Sequence, residues 1–213
     1  MAFLFDMNGT MVDDMPYHIK AWHTIINQLG FPITMDRMKD ECYGKNNELL
    51  ERIFPNRFSE EEKYNMGLEK EKTYQREFKP YLQLLPGLDR FIEEAASNNI
   101  KMAIGSAAIM FNIDFVIDNM NIRHHFGALV SADDVVNSKP DPETWLKCAN
   151  ALQVQPSECI VFEDSPKGVE SAFNAGMKCV VVNSLHEKHE FHHQEHIIQW
   201  VKDFREIAVN DLF

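Results

Sequence analysis

The stretch AFLFDMNGT, residues 2–10, joins a short apolar run to a carboxylate, Asp6, and a small polar turn. Apolar runs of this length that stop abruptly at a polar residue are typical of buried strands in a parallel sheet. Two residues after Asp6 the chain carries an amide, Asn8, where a second carboxylate would complete an acid/base pair. The N-terminal segment therefore predicts a first strand with a carboxylate at its carboxyl end.

Further apolar runs of strand length follow along the chain, and helix-like segments separate them. The runs are IKMAIG at 100–105, ALVSA at 128–132, CIVFE at 159–163 and CVVVN at 179–183. The helix-like segments are 88–99, 110–120, 142–152 and 166–176. This alternation predicts an α/β fold, a doubly wound parallel sheet.

The alternation is interrupted after the first strand by a long stretch that is helical and polar in pattern. Its clearest parts are YHIKAWHTIINQL and EEEKYNMGLEKEKTYQREF. A helical segment inserted between two strands of one sheet is best explained as a separate cap. We therefore predict a core domain formed by residues 1–13 and 84–213, and a helical cap domain formed by residues 14–83.

The composition limits the classes of partner. A chain of 213 residues with 45% hydrophobic residues can bury a sizeable core. A net charge of -12 argues against nucleic acid and anionic membranes, which attract basic surfaces. The four cysteines form no CxxC pair, and no secretory leader or long apolar run is evident. We expect a cytoplasmic monomer or weak homodimer that binds a small molecule.

The carboxyl ends of the predicted strands carry a consistent set of polar residues. Ligands of open α/β sheets bind outside these strand ends. The residues there are Asp6, Ser106, Lys139, Glu163 and Asp164. Carboxylate oxygens are ligands that Mg²⁺ prefers. The sequence therefore predicts a crevice with a divalent-metal site and one ammonium group.

Four motifs, FDMNGT, IGSA, KPDP and FEDSPKGVESAFNAG, occur in this order along the chain. Their order and spacing resemble the motifs of the haloacid dehalogenase (HAD) superfamily over essentially the whole chain. The insert with YHIKAWHTIINQLG resembles the cap of the branch that contains β-phosphoglucomutase and small-molecule phosphatases. The resemblance implies a Rossmann-like core and a Mg²⁺-dependent phosphatase whose cap closes over a small phosphorylated metabolite.

The resemblance also implies roles for the first and fourth motifs. Asp6 would attack phosphorus and form an aspartyl-phosphate, which makes it the nucleophile. Mg²⁺ would bind the carboxylates of Asp6 and Asp164 and the main-chain carbonyl of Asn8. Glu163 would bind the same ion directly or through water.

The second and third motifs would hold the phosphoryl group. By the resemblance, Ser106, the adjacent Ala107 and Lys139 bind phosphate oxygens, and Lys139 also balances the charge of the acids. The backbone N–H groups of Gly9 and Thr10 add donors of the kind that cradle anions.

Each of these residues also has a plain structural explanation when it is taken alone. Asp6 can cap a turn, and Ser106 can cap a helix that starts at Ala107. Lys139 can be a solvated loop residue, and Glu163 with Asp164 can complement a helix dipole. The joint occurrence of all the motifs at strand ends favours the catalytic interpretation.

In the cap, the resemblance implies substrate contacts at His18, Lys45, Asn47 and Arg76. YGKNNELL, residues 43–50, resembles the specificity loop of the family, with Lys45 as its cation. Packing inside the cap is the alternative for His18, and a solvated helix face is the alternative for Lys45 and Arg76.

The histidine-rich segment 186–196 contains five of the nine histidines. Some of them are spaced i, i+4, which on a helix suits a transition metal, but no HExxH motif or cysteine accompanies them. We therefore predict a solvated surface segment.

Asn8 leaves three interpretations open. The amide can be an engineered change that traps substrate, a natural alteration of an enzyme, or the mark of a catalytically impaired phosphate-ligand-binding protein. It counts directly against a β-phosphoglucomutase-like sugar-phosphate mutase, which needs an acid/base at this position. Asp13, Asp14 or His18 are candidates for a substitute acid.

Overall fold

A computed structural model describes residues 1–182, 186–192 and 194–212. The chain divides into two compact units, one formed by Met1–Asp13 with Gln83–Phe213 and the other by Asp14–Leu82. The second division falls between residues 82 and 83, whereas the sequence placed it between 83 and 84. We call the two parts the core unit and the cap unit.

The core unit contains a parallel sheet of six strands within the described residues, ordered β3-β2-β1-β4-β5-β6. The strands are β1 (Ala2–Phe5), β2 (Lys101–Gly105), β3 (Ala128–Val130), β4 (Cys159–Glu163), β5 (Lys178–Val182) and β6 (Ile197–Val201). This order confirms the doubly wound α/β architecture. Its direction reverses at β1, which opens a crevice between β1 and β4.

Eight α-helices lie in the described residues. They are α1 (Met15–Gln28), α2 (Met35–Glu41), α3 (Asn46–Ile53), α4 (Glu60–Phe78), α5 (Leu88–Ser97), α6 (Met110–Asn119), α7 (Glu143–Leu152) and α8 (Pro166–Asn174). The first four belong to the cap unit and the last four to the core unit. Thus the long polar stretch folds as four helices.

Two expectations about strands need correction. The run ALVSA ends as a strand at Val130, because Ser131 caps a short 3₁₀ turn through its side chain. Strand β6 was not predicted at all. It is an edge strand that pairs only with β5, so its residues are partly exposed and lack the continuous apolar run of a central strand.

Strand β1 is buried on both faces of the sheet, as its apolar sequence predicts. Phe5 stacks on Phe162 of β4 with ring centroids 4.7 Å apart, and Phe3 stacks on Phe91 of α5 at 5.6 Å. Leu4 points to the other face and joins the cluster that contains Trp145 of α7. Packing on both faces fixes the position of the β1 carboxyl end, where Asp6 follows.

The cap unit has an apolar cluster of its own. Trp22, Ile26, Met38, Leu50 and Phe54 are buried there, each at most 4% exposed. Its longest helix, α4, starts with a capping box in which Ser59 and Glu62 bond reciprocally to each other's backbone N–H.

Candidate active site

The turn after β1 is held by its own backbone. The carbonyl of Met7 accepts hydrogen bonds from the N–H groups of Thr10, Met11 and Val12, and Gly9 N–H donates to the Val12 carbonyl at 2.8 Å. Gly9 adopts a left-handed conformation with φ of 80°. These bonds fix Asp6 and Asn8 in one tight loop at the edge of the sheet.

Three carboxylates meet at this edge. Asp6, Glu163 and Asp164 each offer an oxygen, and these atoms all lie within 4.8 Å of one another. The residues are 6%, 1% and 5% exposed. A buried cluster of like charges is unstable without cations, so the donor chemistry suits a hard divalent cation such as Mg²⁺.

Burial and mutual repulsion set the protonation of these acids. Burial, together with the charge of Glu163, raises the pKa of Asp6 to about 7, although Lys139 opposes the shift. Burial also raises the pKa of Asp164 well above its ordinary value, and the charges of Glu163 and Asp6 add to this effect. Cation binding would reverse both shifts, because it favours the charged carboxylates.

Lys139 supplies the ammonium group of the cluster. Its Nζ donates to Asp6 Oδ1 at 2.7 Å, to Glu163 Oε1 at 2.8 Å and to the Gly105 carbonyl at 3.1 Å. The same Nζ lies 4.1 Å from the ring centroid of Trp145. Burial alone would lower the pKa of Lys139, but the two carboxylates outweigh it and raise this pKa.

The loop that carries Lys139 is anchored on both sides. Glu143, the first residue of α7, accepts hydrogen bonds from the N–H groups of Val136 and Asn137 at 2.9 and 3.0 Å. Ser171 and Asn174 of α8 donate to the carbonyls of Asp141 and Pro140. Lys139 is therefore not a solvated loop residue, and its side chain is only 9% exposed.

The residues after β2 differ in part from expectation. Ser106 Oγ donates to Asn8 Oδ1 at 3.4 Å and accepts from the N–H of Ala108 at 3.1 Å. Helix α6 begins at Met110, so Ser106 does not cap a helix that starts at Ala107. Ser106 is buried beside Asn8, and Ala107 is partly exposed next to it.

Glu163 is oriented by the start of α8. Its Oε2 accepts from the backbone N–H and the hydroxyl of Ser165 at 2.8 and 3.0 Å, and the same hydroxyl accepts from the N–H of Gly168. A Cβ at Gly168 would lie 1.7 Å from Glu163 Oε1. Gly168 was not predicted as a site residue, although a glycine in the first turn of a helix can signal a close approach.

The predicted substrate residues of the cap occupy different surroundings within that unit. His18 is buried, whereas Asn47 and Arg76 are exposed and Lys45 is partly exposed at the start of α3. Lys45 N–H donates to Glu48 Oε2 at 3.0 Å as part of a capping box. His18 thus differs from the other three in burial, although Asn46, between Lys45 and Asn47, donates to Glu71 at 2.7 Å and Glu71 lies 3.8 Å from His18.

His18 lies in a buried polar cluster that sequence analysis did not predict. Lys70 Nζ lies 2.6 Å from His18 Nδ1 and donates to Glu71 Oε1 at 3.0 Å. On the other side, His18 Nε2 lies 3.4 Å from Asp14 Oδ2, which accepts from the Tyr74 hydroxyl at 2.5 Å. The sequence carries no signal for it, because residues 69–72 read EKEK and the buried pair looks like the exposed pair beside it.

The histidine-rich segment forms short 3₁₀ turns and not a helix in its described part. His196 Nε2 lies 3.1 Å from the Val169 carbonyl, and His186 Nδ1 lies 3.2 Å from Glu190 Oε1. His193 is outside the described residues. Among described residues, Asp6, Glu163 and Asp164 form the one cluster of potential metal ligands.

Comparison with known proteins identifies the class. The haloacid dehalogenase-like hydrolase family matches residues 3–182. This chain belongs to that family, which confirms the resemblance and makes the chain an enzyme of the HAD type.

Individual relatives are similar over most of their length. Fructose-1-phosphate phosphatase YqaB of Escherichia coli K12 is 29% identical, covering 86% of this chain and 97% of that protein. β-Phosphoglucomutase of Bacillus subtilis is 31% identical, covering 85% and 82%. A crystal structure of β-phosphoglucomutase from Clostridium difficile has a TM-score of 0.86 and 28% identity over 99% of this chain and 94% of that one.

No helix among the described residues is both long and apolar enough for a membrane span.

Proposed function

We propose that this enzyme is a Mg²⁺-dependent phosphatase that acts on a small phosphorylated metabolite through covalent phosphorylation of Asp6. The observation that carries the proposal is the buried cluster of Asp6, Glu163 and Asp164 with Lys139 bonded into it. Two similar proteins named as a sugar-phosphate phosphatase and a sugar-phosphate mutase support phosphorylated sugars as the substrate class.

Each residue of the site has its own role in the proposed phosphoryl transfer. Asp6 attacks phosphorus, and Lys139 keeps Asp6 oriented and charged while it neutralises phosphoryl oxygens. Ser106, with the backbone N–H of Ala107, donates hydrogen bonds to the same oxygens. Gly9 N–H, which the sequence predicted as a further phosphate donor, instead closes the loop by donating to the Val12 carbonyl. A bound Mg²⁺, held by Asp6, Glu163, Asp164 and the Asn8 carbonyl, would stabilise the charge on the transferring group.

A phosphomutase is the second candidate, because a relative of this name is 31% identical to the chain. Asn8 counts against it, since a mutase must move a proton at each half-reaction. In the cap unit, we propose His18, Lys45, Asn47 and Arg76 as substrate-recognition residues. Lys45 and Asn47 are foremost, because Lys45 is the N-cap of α3 and Asn47 lies in its first turn.

The test is an assay of hexose phosphates, other phosphomonoesters, pyrophosphate and acetyl phosphate with Mg²⁺ present and after chelation. We expect turnover that requires Mg²⁺ and is abolished by Asp6→Asn. Asp89→Asn, on the exposed face of α5, removes the same charge from the same unit and should leave activity unchanged. Turnover by Asp6→Asn would refute covalent catalysis, and phosphate binding without any turnover would identify a ligand-binding protein.

A further inference from the structure

Position 8 is where a second carboxylate would complete an acid/base pair with Asp6, and this chain carries an amide there. Asn8 lies two residues from the proposed nucleophile in a loop closed by hydrogen bonds to the Met7 carbonyl and by the bond from Gly9 N–H to the Val12 carbonyl. The loop members between Asp6 and Asp13 carry no titratable side chain. An amide donates hydrogen bonds but does not transfer a proton at neutral pH.

The amide is also held in one orientation. Ser106 Oγ donates to Asn8 Oδ1 at 3.4 Å, and it accepts from Ala108 N–H at 3.1 Å. The carbonyl side of the amide therefore faces Ser106. The NH₂ group of an amide can donate a hydrogen bond, but it has no proton that it can transfer at neutral pH.

Neighbouring acids of the core unit are committed to other partners. Asp6 and Glu163 bind Lys139, and Asp164 completes the carboxylate cluster and accepts from the Thr10 hydroxyl at 3.5 Å. Lys139 is fixed among the carboxylates, so it stays protonated beside them. The acids of this cluster are therefore engaged with Lys139 or Thr10 and do not replace a carboxylate at position 8.

Two of the proposed substitute acids are engaged inside the cap unit. Both ring nitrogens of His18 face cap residues, Lys70 at 2.6 Å and Asp14 at 3.4 Å. Asp14 in turn accepts from the Tyr74 hydroxyl. Asp13 is exposed, and it is the remaining substitute that the sequence suggested.

We propose that Asn8 makes this enzyme specific for phosphorylated compounds whose leaving oxygen is weakly basic, and that phosphorylated Asp6 is slow to hydrolyse. The substrate class comprises acyl phosphates, phosphoanhydrides and phosphate esters of acidic hydroxyl groups. This inference rests on the proposed phosphoryl transfer to Asp6 and narrows its substrates.

Both half-reactions follow from the missing proton carrier. In the first, an Asp6 oxygen bonds to phosphorus while the bond from phosphorus to the leaving oxygen breaks, and that oxygen departs with the electron pair. A weakly basic oxygen leaves as a stable anion, whereas an alkoxide needs a proton that Asn8 cannot give. In the second, water attacks phosphorus, the Asp6 oxygen regains its electron pair, and the proton of the water passes to solvent without a base at position 8.

The experiment uses acetyl phosphate, a series of substituted phenyl phosphates, and an alkyl ester such as glycerol phosphate, each with Mg²⁺. We expect log kcat/KM of the wild-type enzyme to fall steeply as the leaving group becomes more basic. Asn8→Asp should flatten this slope and gain about 10²- to 10⁴-fold on the alkyl ester, but little on acetyl phosphate. Asn8→Ala, which also lacks an acid, should keep the steep slope.

A second readout follows the protein itself. With the best leaving groups, hydrolysis of phosphorylated Asp6 should limit the rate. We therefore expect the same kcat for all of these substrates and a burst that releases one leaving group per enzyme. Intact-protein mass spectrometry after acid quenching should detect one added phosphoryl group, and Asn8→Asp should diminish it. Asp13→Asn should leave the slope unchanged. His18→Gln removes a proposed recognition residue, so it should change kcat/KM by a similar factor for all substrates and keep the slope.

The outcomes separate this inference from the proposed function. Equal slopes for the wild type and Asn8→Asp, or a steeper slope in Asp13→Asn or His18→Gln, would overturn the inference while Asp6-dependent turnover stands. Absence of turnover with every phosphate, acetyl phosphate included, would instead refute the proposed function.

Discussion

Gly9 combines a backbone conformation that favours glycine with a close approach to a carboxylate of the site. Its φ of 80° is costly for other residues, and a Cβ there would lie 2.1 Å from Asp164 Oδ2. We predict that Gly9→Ala displaces the Asp164 carboxylate and lowers kcat/KM by about 10²-fold, the cost of misplacing a catalytic group by roughly 1 Å. Steady-state kinetics measure the loss of kcat/KM. Mg²⁺ titration calorimetry measures the effect of the displaced Asp164 carboxylate on cation binding.

Gly30 provides a matched control for this change. It has nearly the same conformation, with φ of 79°, but a Cβ there would meet nothing within 4 Å. Gly30→Ala should share the conformational cost of about 1–2 kcal/mol and keep activity. Equal activities of the two variants would show that the contact with Asp164 is unimportant.

At the scale of single elements, the start of α7 holds the loop that carries Lys139. Hydrogen bonds from Asn137 N–H, the Lys147 side chain and Val136 N–H lower the pKa of Glu143 from 4.5 to about 2. Because the folded-state pKa is depressed, the stabilisation is present above pH 4.5 and is lost as the pH falls towards 2.

We therefore predict that Glu143→Gln destabilises the protein at neutral pH and that its difference from the wild type shrinks between pH 4.5 and 2. Urea unfolding at a series of pH values measures this difference. Glu158→Gln, an exposed glutamate before β4, controls for the loss of one negative charge. A difference that stays constant over this range would contradict the assigned role of Glu143.

Helix α4 contributes a second element-scale test through its two lysines at 70 and 72. The side chains of Lys70 and Glu71 are 4% and 3% exposed, so Lys70→Met would leave a buried carboxylate without its cation. We expect a loss of about 3–5 kcal/mol, measured by hydrogen exchange across residues 14–82.

Lys72 lies on the same helix and pairs with Glu69 at the surface, where its side chain is 52% exposed. Lys72→Met should cost at most about 1 kcal/mol, because exposed ion pairs contribute little. Similar losses in the two variants would mean that burial of the Lys70 cluster does not stabilise the cap unit.

At the scale of the whole molecule, the chain leaves the core unit and returns to it at one place. Leu85 N–H donates to the Met11 carbonyl at 2.8 Å, so the two crossing segments are neighbours within the core unit. We propose that the core unit, residues 1–13 and 83–213, is an independent folding domain.

Replacement of residues 14–82 by a short Gly-Ser linker tests this proposal. We expect cooperative unfolding and retained Mg²⁺ binding, because Asp6, Glu163, Asp164 and Lys139 all belong to this unit. Circular dichroism and calorimetry provide the measurement, and a variant without a cooperative transition would refute independent folding.

Much of this molecule could be predicted from short stretches of sequence. Strands β1 and β4 were predicted with their observed bounds, because central strands are apolar on both faces and so differ from all surrounding sequence. Strand β6 escaped prediction because an edge strand is half exposed and has no such pattern. Ser106 was assigned a possible helix cap because the unwound residues between it and α6 have no distinct signal.

The sequence by itself determined the sheet class, the order of the motifs and the residue types that end the strands, since these depend on local hydrophobic patterns. The sequence also predicted that Lys139 meets the three acids, because all of them follow strand ends. Only the tertiary structure decided the individual contacts and the buried cluster around Lys70. Lys139 and Asp6 are 133 positions apart, and Lys70 and His18 are 52 positions apart. Such contacts depend on strand order and helix packing, which place distant residues within a few ångströms, and no local pattern encodes that distance.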